Sequence, residues 1–126
     1  RGTLLDLPEI VRRVQTAFEV LPSRAGFADV ARSVGTSVRS LQRHLARVGS
    51  SLRTERQNHV LRASERLLEG TDLDLDAIAA QVGVSSASHL VTLFRLRRGT
   101  TPGAYRVGRR NPIPTMMVGT SKRKPT

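Results

Sequence analysis

Three side chains that carry several hydrogen-bonding groups, Arg39, Gln42 and Arg43, are spaced so that a helix would place them on one face. A guanidinium group can donate two hydrogen bonds to O6 and N7 of guanine, and a glutamine amide can pair with N6 and N7 of adenine. A solvated charged face is the alternative, and it is the more common fate of such a stripe. Contact with bases is favoured here because residues 27–37, which precede Arg39, have the pattern of a short helix followed by a turn.

The segment that leads into this face recurs later in the chain. Residues 27–37 read FADVARSVGTS, and residues 75–85 read LDAIAAQVGVS. In both copies a short helix is predicted to begin at an apolar residue. An apolar residue and an alanine stand three and four positions later, and a Val-Gly pair ends the helix. A short helix, a tight turn at Gly35 or Gly83 and a second helix form the unit that seats its second helix in the major groove of DNA. The chain is therefore predicted to carry two helix-turn-helix units.

The second unit offers a different outward face, whose side chains are short and uncharged. Its predicted base contacts are Ser86, Ala87, Ser88, Val91 and Thr92. Such residues can touch a thymine methyl group or make one hydrogen bond, but they add little charge-driven affinity. We therefore expect the second unit to discriminate weakly between sequences, or to bind mostly through phosphates.

Phosphate contacts are predicted for serines at helix starts and for basic side chains close to the two units. Both the free N–H groups at a helix N-terminus and the charge of an arginine attract phosphate. The predicted set is Ser37, His44, Arg53, Arg56, Arg95, Arg97 and Arg98. For each arginine, the alternative to phosphate contact is a surface charge that has no specific partner.

An all-α scaffold with about seven helices must position these side chains, since the apolar residues recur at helical spacing. The predicted helices cover residues 8–20, 27–34, 38–46, 52–69, 75–82, 86–97 and 102–106. The helix over residues 52–69 is the predicted connector between the units. The predicted organisation is a first helix-turn-helix subdomain over residues 1–51, the connector over 52–69, a second subdomain over 70–107 and a flexible basic tail over 108–126.

The charge balance favours a polyanionic partner. The chain has 21 Lys and Arg against 10 Asp and Glu, which gives a net charge of +11. Six of the basic residues and none of the acids follow Tyr105, so the body alone carries +5. A basic balance of this size in a small domain usually marks a partner such as nucleic acid. The tail by itself would not identify a sequence-specific reader.

Composition argues against several other classes of protein. Because no cysteine is present, there is no disulfide, thiolate nucleophile or thiolate-bound zinc. His44, His59 and His89 match no zinc spacing, and no catalytic constellation stands out, so we expect no enzyme, metal or cofactor. No apolar run reaches about 18 residues and the first ten residues have no apolar core, so we expect no membrane span and a cytoplasmic, nucleoid-associated protein. The start at Arg1 rather than Met suggests a piece of a longer protein.

The second unit and its ending resemble a known family signature. The pattern is Ile78-Ala79-x-x-Val82-Gly83-x-Ser85, then Ser88-x-Leu90-x-x-x-Phe94, then Gly99-x-Thr101-Pro102-x-x-Tyr105-Arg106. It is similar to that of AraC/XylS-type bacterial transcription regulators. The run Ser37-Val-Arg-Ser-Leu-Gln-Arg-His-Leu, followed by Gly49-x-Ser51, looks like the first reader of the same family.

The resemblance covers about Leu7 to Arg106 and implies the C-terminal double helix-turn-helix DNA-binding domain of these regulators. It implies base contacts on the Arg39 face, contact with RNA polymerase, and a larger regulator whose effector-sensing or dimerising portion is absent from this sequence. The sequence departs from the family pattern at Val84 and at His89-Leu90, where the family has aromatic residues, and at Val60, where it often has arginine.

These patterns predict a sequence-specific binder of double-stranded DNA that regulates bacterial transcription. Its two recognition helices would enter successive major grooves on one face of the duplex, about 34 Å apart. A non-specific or architectural DNA-binding protein is a second hypothesis, favoured by the charge and by the uncharged second face. A protein-interaction module built on helix-turn-helix units is a third.

Overall fold

Seven helices and no strand make up residues 8–110, the part of the chain that this computed structural model describes. The helices are α1 (Glu9–Val20), α2 (Phe27–Val34), α3 (Val38–Arg47), α4 (Leu52–Gly70), α5 (Leu75–Val82), α6 (Ala87–Arg98) and α7 (Pro102–Arg110). The predicted all-α architecture is confirmed: α2–α3 and α5–α6 are the two helix-turn-helix units, and α4 joins them.

The turns of the two units have the same backbone geometry. α2 ends at Gly35 with a φ of 95°, and α5 ends at Gly83 with a φ of 89°. Both values lie in the left-handed region that glycine enters without steric cost. The next helix of each unit begins at a serine: Ser37 Oγ and Ser86 Oγ each accept the backbone N–H of the residue three positions on, at 3.1 Å. The repeated sequence therefore folds into a repeated structure.

The first unit closes around a core to which α1, α2, α3 and the start of α4 contribute. Its buried members are Val11, Val14, Ala17, Phe18, Val30, Ala31, Val34, Leu41, Leu45 and Leu52. Leu41 and Leu45 are fully buried, as predicted. Because these two leucines set the rotation of α3 about its axis, the opposite side of the helix is turned to solvent.

The second unit has a core of its own, which α4 also supplies. Its buried members are Val60, Leu61, Leu68, Ile78, Ala79, Val82, Leu90, Leu93 and Phe94. The predicted inward positions of α6, Leu90, Leu93 and Phe94, are confirmed. Since α4 lines both cores, it is the wall that the two units share.

A polar network ties α1 to α4 beside the first core. Gln15 Nε2 donates to Glu55 Oε1 over 2.6 Å and to the Glu55 backbone carbonyl over 3.0 Å. Ser50 Oγ donates to Glu55 Oε2 over 2.5 Å, and the Arg62 guanidinium donates to Gln15 Oε1. Both oxygens of the buried carboxylate are therefore hydrogen-bonded, as burial of a charge requires. The network holds the first unit against the connector.

The last helix is longer than predicted. α7 runs to Arg110 instead of ending at Arg106, so residues 108–110 belong to it and not to the tail. The Tyr105 ring packs edge-on against Phe94 at 5.8 Å, and its hydroxyl donates to the Glu69 carboxylate on α4. Contacts with α4 therefore stabilise this helix. The rest of the predicted tail, residues 111–126, lies outside the described residues.

Arg106 closes the C-terminal end of α4. Its Nε donates to the Leu68 carbonyl over 3.1 Å, and a terminal nitrogen donates to the Thr71 carbonyl over 2.9 Å. The last carbonyls of a helix have no partner within the helix and carry partial negative charge, so a guanidinium at this end satisfies both needs. This contact gives Arg106 a structural role at the junction of α4 and α7.

Across residues 8–110, no single helix is both long enough and apolar enough to span a membrane. α5 and α6 would pass by length and composition if taken together, but the pair is bent by 81°.

Candidate nucleic-acid interface

The outward face of α3 carries the three predicted base contacts of the first unit. Arg39, Gln42 and Arg43 are all exposed, on the side opposite Leu41 and Leu45. None of the three makes a hydrogen bond or ion pair with another residue in the described range 8–110. Their donors are therefore available to an external partner, and the predicted exposure is confirmed.

Basic character extends along the whole of α3. His44 and Arg47 are exposed as well, and the helix contains no acid. The acids of the described chain lie instead on the other helices and loops, where several neutralise arginines: Asp29 pairs with Arg32 at 3.1 Å, and Glu19 pairs with Arg66 at 3.2 Å. The positive potential of α3 is thus not cancelled from within the helix.

The corresponding helix of the second unit presents small side chains. Ser86, Ser88 and Thr92 are exposed, whereas Ala87 and Val91 are half-buried. The exposed surface of these last two is smaller than the sequence predicted, because they lie next to the core positions Leu90 and Phe94. Base contact by α6 would therefore fall mainly to its hydroxyl groups.

His89 is an exposed donor on α6 that the sequence-based set of base contacts left out. Its Nδ1 lies 3.3 Å from Ser85 Oγ, so one ring nitrogen is engaged within the turn and the other faces away from that contact. The sequence offered a signal, since His89 directly follows the exposed Ser88. On the first turn of α6, the imidazole of His89 extends farther from the backbone than the hydroxyl group of Ser88, the other side chain there that can donate a hydrogen bond.

Five of the predicted phosphate contacts are exposed and make no ion pair within residues 8–110, and His44 is one of them. Arg53, Arg95 and Arg97 are exposed and make no ion pair within residues 8–110. Ser37 Oγ accepts the Ser40 N–H, which leaves its own hydroxyl proton free to donate. These side chains, together with His44, stand as predicted phosphate contacts.

Arg56 has a structural role that its sequence position did not suggest. Its guanidinium carbon lies 4.9 Å from the centroid of the Phe27 ring and 5.4 Å from that of Phe18. One terminal nitrogen donates to the Ala25 carbonyl over 2.5 Å. A guanidinium held between aromatic rings and a loop carbonyl is committed to the fold, so we remove Arg56 from the interface.

Arg98 is also engaged by another side chain of the protein. Its Nε donates to Glu65 on α4 over 2.9 Å, and the exposed fractions of the two side chains are 33% for Arg98 and 20% for Glu65. The pair closes α6 against the connector. We therefore assign Arg98 to the scaffold, whereas Arg95 and Arg97 on the same helix stay in the predicted interface.

Burial favours the neutral forms of two side chains in the scaffold, His59 and Tyr105. Burial lowers the pKa of His59, against the opposing pull of the Glu19 carboxylate, and its ring stacks on Phe18 at 5.6 Å. Burial and the hydrogen bond to Glu69 raise the pKa of Tyr105, so its phenol remains a donor. Within residues 8–110, no three His, Asp or Glu side chains converge as metal ligands would.

Comparison with known proteins gives a family match over the two units. A family model described as a helix-turn-helix domain matches residues 30–108, which include α3, α4, α5 and α6. The chain is 32% identical over 104 residues to a Rhodococcus protein named transcriptional activator NphR, a match that covers 81% of this chain and 31% of that protein. The chain thus spans about a third of the length of this curated relative.

Two solved structures show the same fold. One is a transcriptional regulator from Chromobacterium violaceum, described as an AraC-type DNA-binding domain-containing protein, with a TM-score of 0.74 and 24% identity over 82% of this chain and 95% of that one. The other is the DNA-binding domain of AdpA, the global transcriptional factor, solved in complex with a target DNA. Its TM-score is 0.65 and its identity 25%, over 86% of this chain and 100% of that one.

Proposed function

The chain belongs to the AraC-type helix-turn-helix family of transcription regulators, and from this premise we propose that it recognises a specific double-stranded DNA sequence and so regulates bacterial transcription. The observation that carries the proposal is the face of Arg39, Gln42 and Arg43, exposed and unpaired within the described chain on the second helix of such a unit. Binding rather than catalysis is the proposed mechanism.

The two recognition helices have unequal tasks in this proposal. α3 enters the major groove and makes bidentate hydrogen bonds through its arginines, which supplies most of the discrimination between sequences. α6 enters the next major groove, about 34 Å away, and contributes hydroxyl contacts and phosphate contacts through Arg95 and Arg97. The solved AdpA domain, whose complex contains a target DNA, supports this type of partner.

The second candidate function is non-specific or architectural DNA binding. The small side chains of α6 and the net charge of +11 favour it, because charge alone supports binding to any duplex. A third, the protein-interaction module, would show no salt-sensitive DNA binding at all. Two measurements separate these alternatives from the proposal. The first is the ratio of the affinity for a specific duplex to the affinity for random duplex, and the second is the salt dependence of DNA binding.

Selection of bound duplexes from a random pool tests the proposal. We expect enrichment of a motif with two conserved blocks separated by about one helical turn, and stronger conservation in the block that α3 reads. A pool that remains random after several rounds would contradict sequence-specific recognition and favour the architectural hypothesis.

Binding should weaken steeply with salt, because each neutralised phosphate releases counterions. The slope of log affinity against log salt is roughly −0.9 per phosphate contact. Truncation after Arg110, where α7 ends, removes Lys122, Arg123 and Lys124 and should lower the affinity for all duplexes alike. Fluorescence anisotropy titrations over a range of salt concentrations measure both effects.

The full-length chain in which these three residues are replaced by glutamine is the matched control, since it keeps the length and removes only the charge. It should reproduce the shallower salt slope of the truncated protein. A truncation that changes the preferred sequence would show that the tail reads bases, which the proposal does not allow.

The whole regulator is proposed to be larger than this chain. The chain covers 31% of the Rhodococcus activator, so an effector-sensing or dimerising portion elsewhere in the protein is part of the proposal. Contact with RNA polymerase at the promoter and action at the bacterial nucleoid in the cytoplasm belong to it as well.

A further inference from the structure

The turns at Gly35 and Gly83 share one geometry but differ in what surrounds them. A Cβ added at Gly35 would meet nothing within 4 Å. A Cβ added at Gly83 would lie 2.8 Å from the Ser23 carbonyl oxygen and 3.2 Å from Ser23 Cβ. Ser23 belongs to the loop between α1 and α2, in the first unit. The turn of the second unit is therefore pressed against the first, at a contact that only glycine permits.

The loop that receives this contact is held from the other side. The Ala25 N–H donates to the Pro22 carbonyl over 2.9 Å, which closes the loop as a turn. The Ala25 carbonyl accepts the hydrogen bond from Arg56, whose guanidinium is held by two aromatic rings. Because the obstructing Ser23 atom is backbone in a braced loop, the loop cannot easily move away from a larger side chain at position 83.

An open cleft lies beside this contact. It has a volume of about 260 Å³ and is lined by residues of both units and of the connector such as Glu19, His59 and Gln81. Along this side the two units are therefore separated by open space, which leaves the second unit room to tilt. A Cβ at position 83 would be accommodated by tilting the second unit about α4.

We propose that Gly83 is a positioning residue, whose contact with Ser23 sets the orientation of α6 relative to α3 and hence the separation of half-sites that the protein prefers. The proposal rests on the proposed DNA-reading function. Consecutive base pairs are about 3.4 Å apart and rotate around the duplex axis, so a small tilt of one reader changes which separation lets both helices reach bases.

The experiment measures affinity for a series of duplexes in which the two selected half-sites are one or two base pairs closer or farther apart. Gly83→Ala should lose about fivefold or more at the wild-type separation, the cost of at least one base contact, and lose less at a neighbouring separation. Its affinity for the isolated first half-site should be unchanged. A profile parallel to that of the wild type would overturn the proposal.

Gly35→Ala is the matched control, because alanine is equally strained at a φ of 95° but meets no neighbouring atom. Its melting temperature should fall because of the backbone strain alone, and any loss of affinity should be the same at every separation of the half-sites. A shift of its preferred separation equal to that of Gly83→Ala would attribute the effect to turn strain and overturn the proposal.

Arg56→Met serves where Gly83→Ala does not fold, as monitored by helical circular dichroism. It keeps apolar contact with the rings but leaves the Ala25 carbonyl without its donor, so the braced loop is released. Tolerance of altered separations should then broaden, whereas Arg53→Met, on the exposed side of α4, should lower affinity uniformly. An unchanged profile in Arg56→Met would overturn the proposal. A wild-type protein with no preferred sequence would instead refute the proposed function itself.

Discussion

Phe94→Ala is expected to lower the free energy of unfolding by about 3–5 kcal/mol, the range for truncating a fully buried phenylalanine. The Phe94 side chain has no exposed surface and lies in the core that α4, α5 and α6 share. Its ring also meets Tyr105 edge-on at 5.8 Å, a contact that alanine cannot make. Urea denaturation followed by circular dichroism at 222 nm measures the loss.

Leu96→Ala is the control on the same helix. Leu96 is 76% exposed, so its truncation should change the free energy of unfolding by no more than about 0.5 kcal/mol. A Phe94→Ala protein as stable as the wild type would contradict the rotation of α6 that turns Ser88 and Thr92 outward. Equal losses for the two variants would contradict it too.

Local signals in the sequence were sufficient for the helix-turn-helix units. The bounds of α2 and α5 agree with the prediction residue for residue, because each begins at an apolar residue and ends at a glycine in the left-handed region. The serine caps of α3 and α6 are equally local. These features depend on residues within one or two turns of each other, so the chain order alone reveals them.

Contacts between distant segments were not predictable in the same way. Arg56 looks like any basic residue near the start of a helix, but Phe18 and Phe27, which hold it, come from α1 and α2. The extra turn of α7 carries Arg109, which pairs at 3.6 Å with Glu69 of α4. The close approach of Gly83 to Ser23 likewise joins two units far apart in sequence. Pattern and propensity carry no information about such partners.

The outward face of α3 could be predicted because it is the complement of a buried face. Once Leu41 and Leu45 are placed in the core, the helical period turns Arg39, Gln42 and Arg43 to solvent. The same reasoning was less accurate for α6, where Val91 is half-buried. Contact of these residues with DNA bases stays a prediction.

Arg39→Ala and Arg43→Ala should each weaken binding to the best selected duplex by about 1–3 kcal/mol, if each guanidinium pairs bidentately with a guanine. Their loss on random duplex should be smaller, because only the phosphate attraction persists there. Ser88→Ala and Thr92→Ala should each weaken binding less than either arginine change, because each removes a single hydroxyl contact and not a bidentate pair of hydrogen bonds. Both arginines are exposed and unpaired within residues 8–110, so their removal should leave stability nearly unchanged.

Arg53→Ala is the control for a purely electrostatic contact, and it should lose about as much on random duplex as on the selected one. Its side chain is exposed on the first turn of α4, with no ion pair in the described chain. The comparison separates the loss of a charge from the loss of a base contact.

The most direct test measures the affinities of the wild type, Arg39→Ala, Arg43→Ala, Ser88→Ala and Thr92→Ala for the selected duplex and for random duplex at one salt concentration. We expect the wild type to prefer the selected duplex by about a thousandfold or more. Each arginine variant should lose more of that preference than either α6 variant, through a loss of about 1–3 kcal/mol on the selected duplex and a smaller loss on random duplex. Equal losses on both duplexes for Arg39→Ala and Arg43→Ala, or a larger specific loss for Ser88→Ala or Thr92→Ala, would contradict the assignment of α3 as the principal reader.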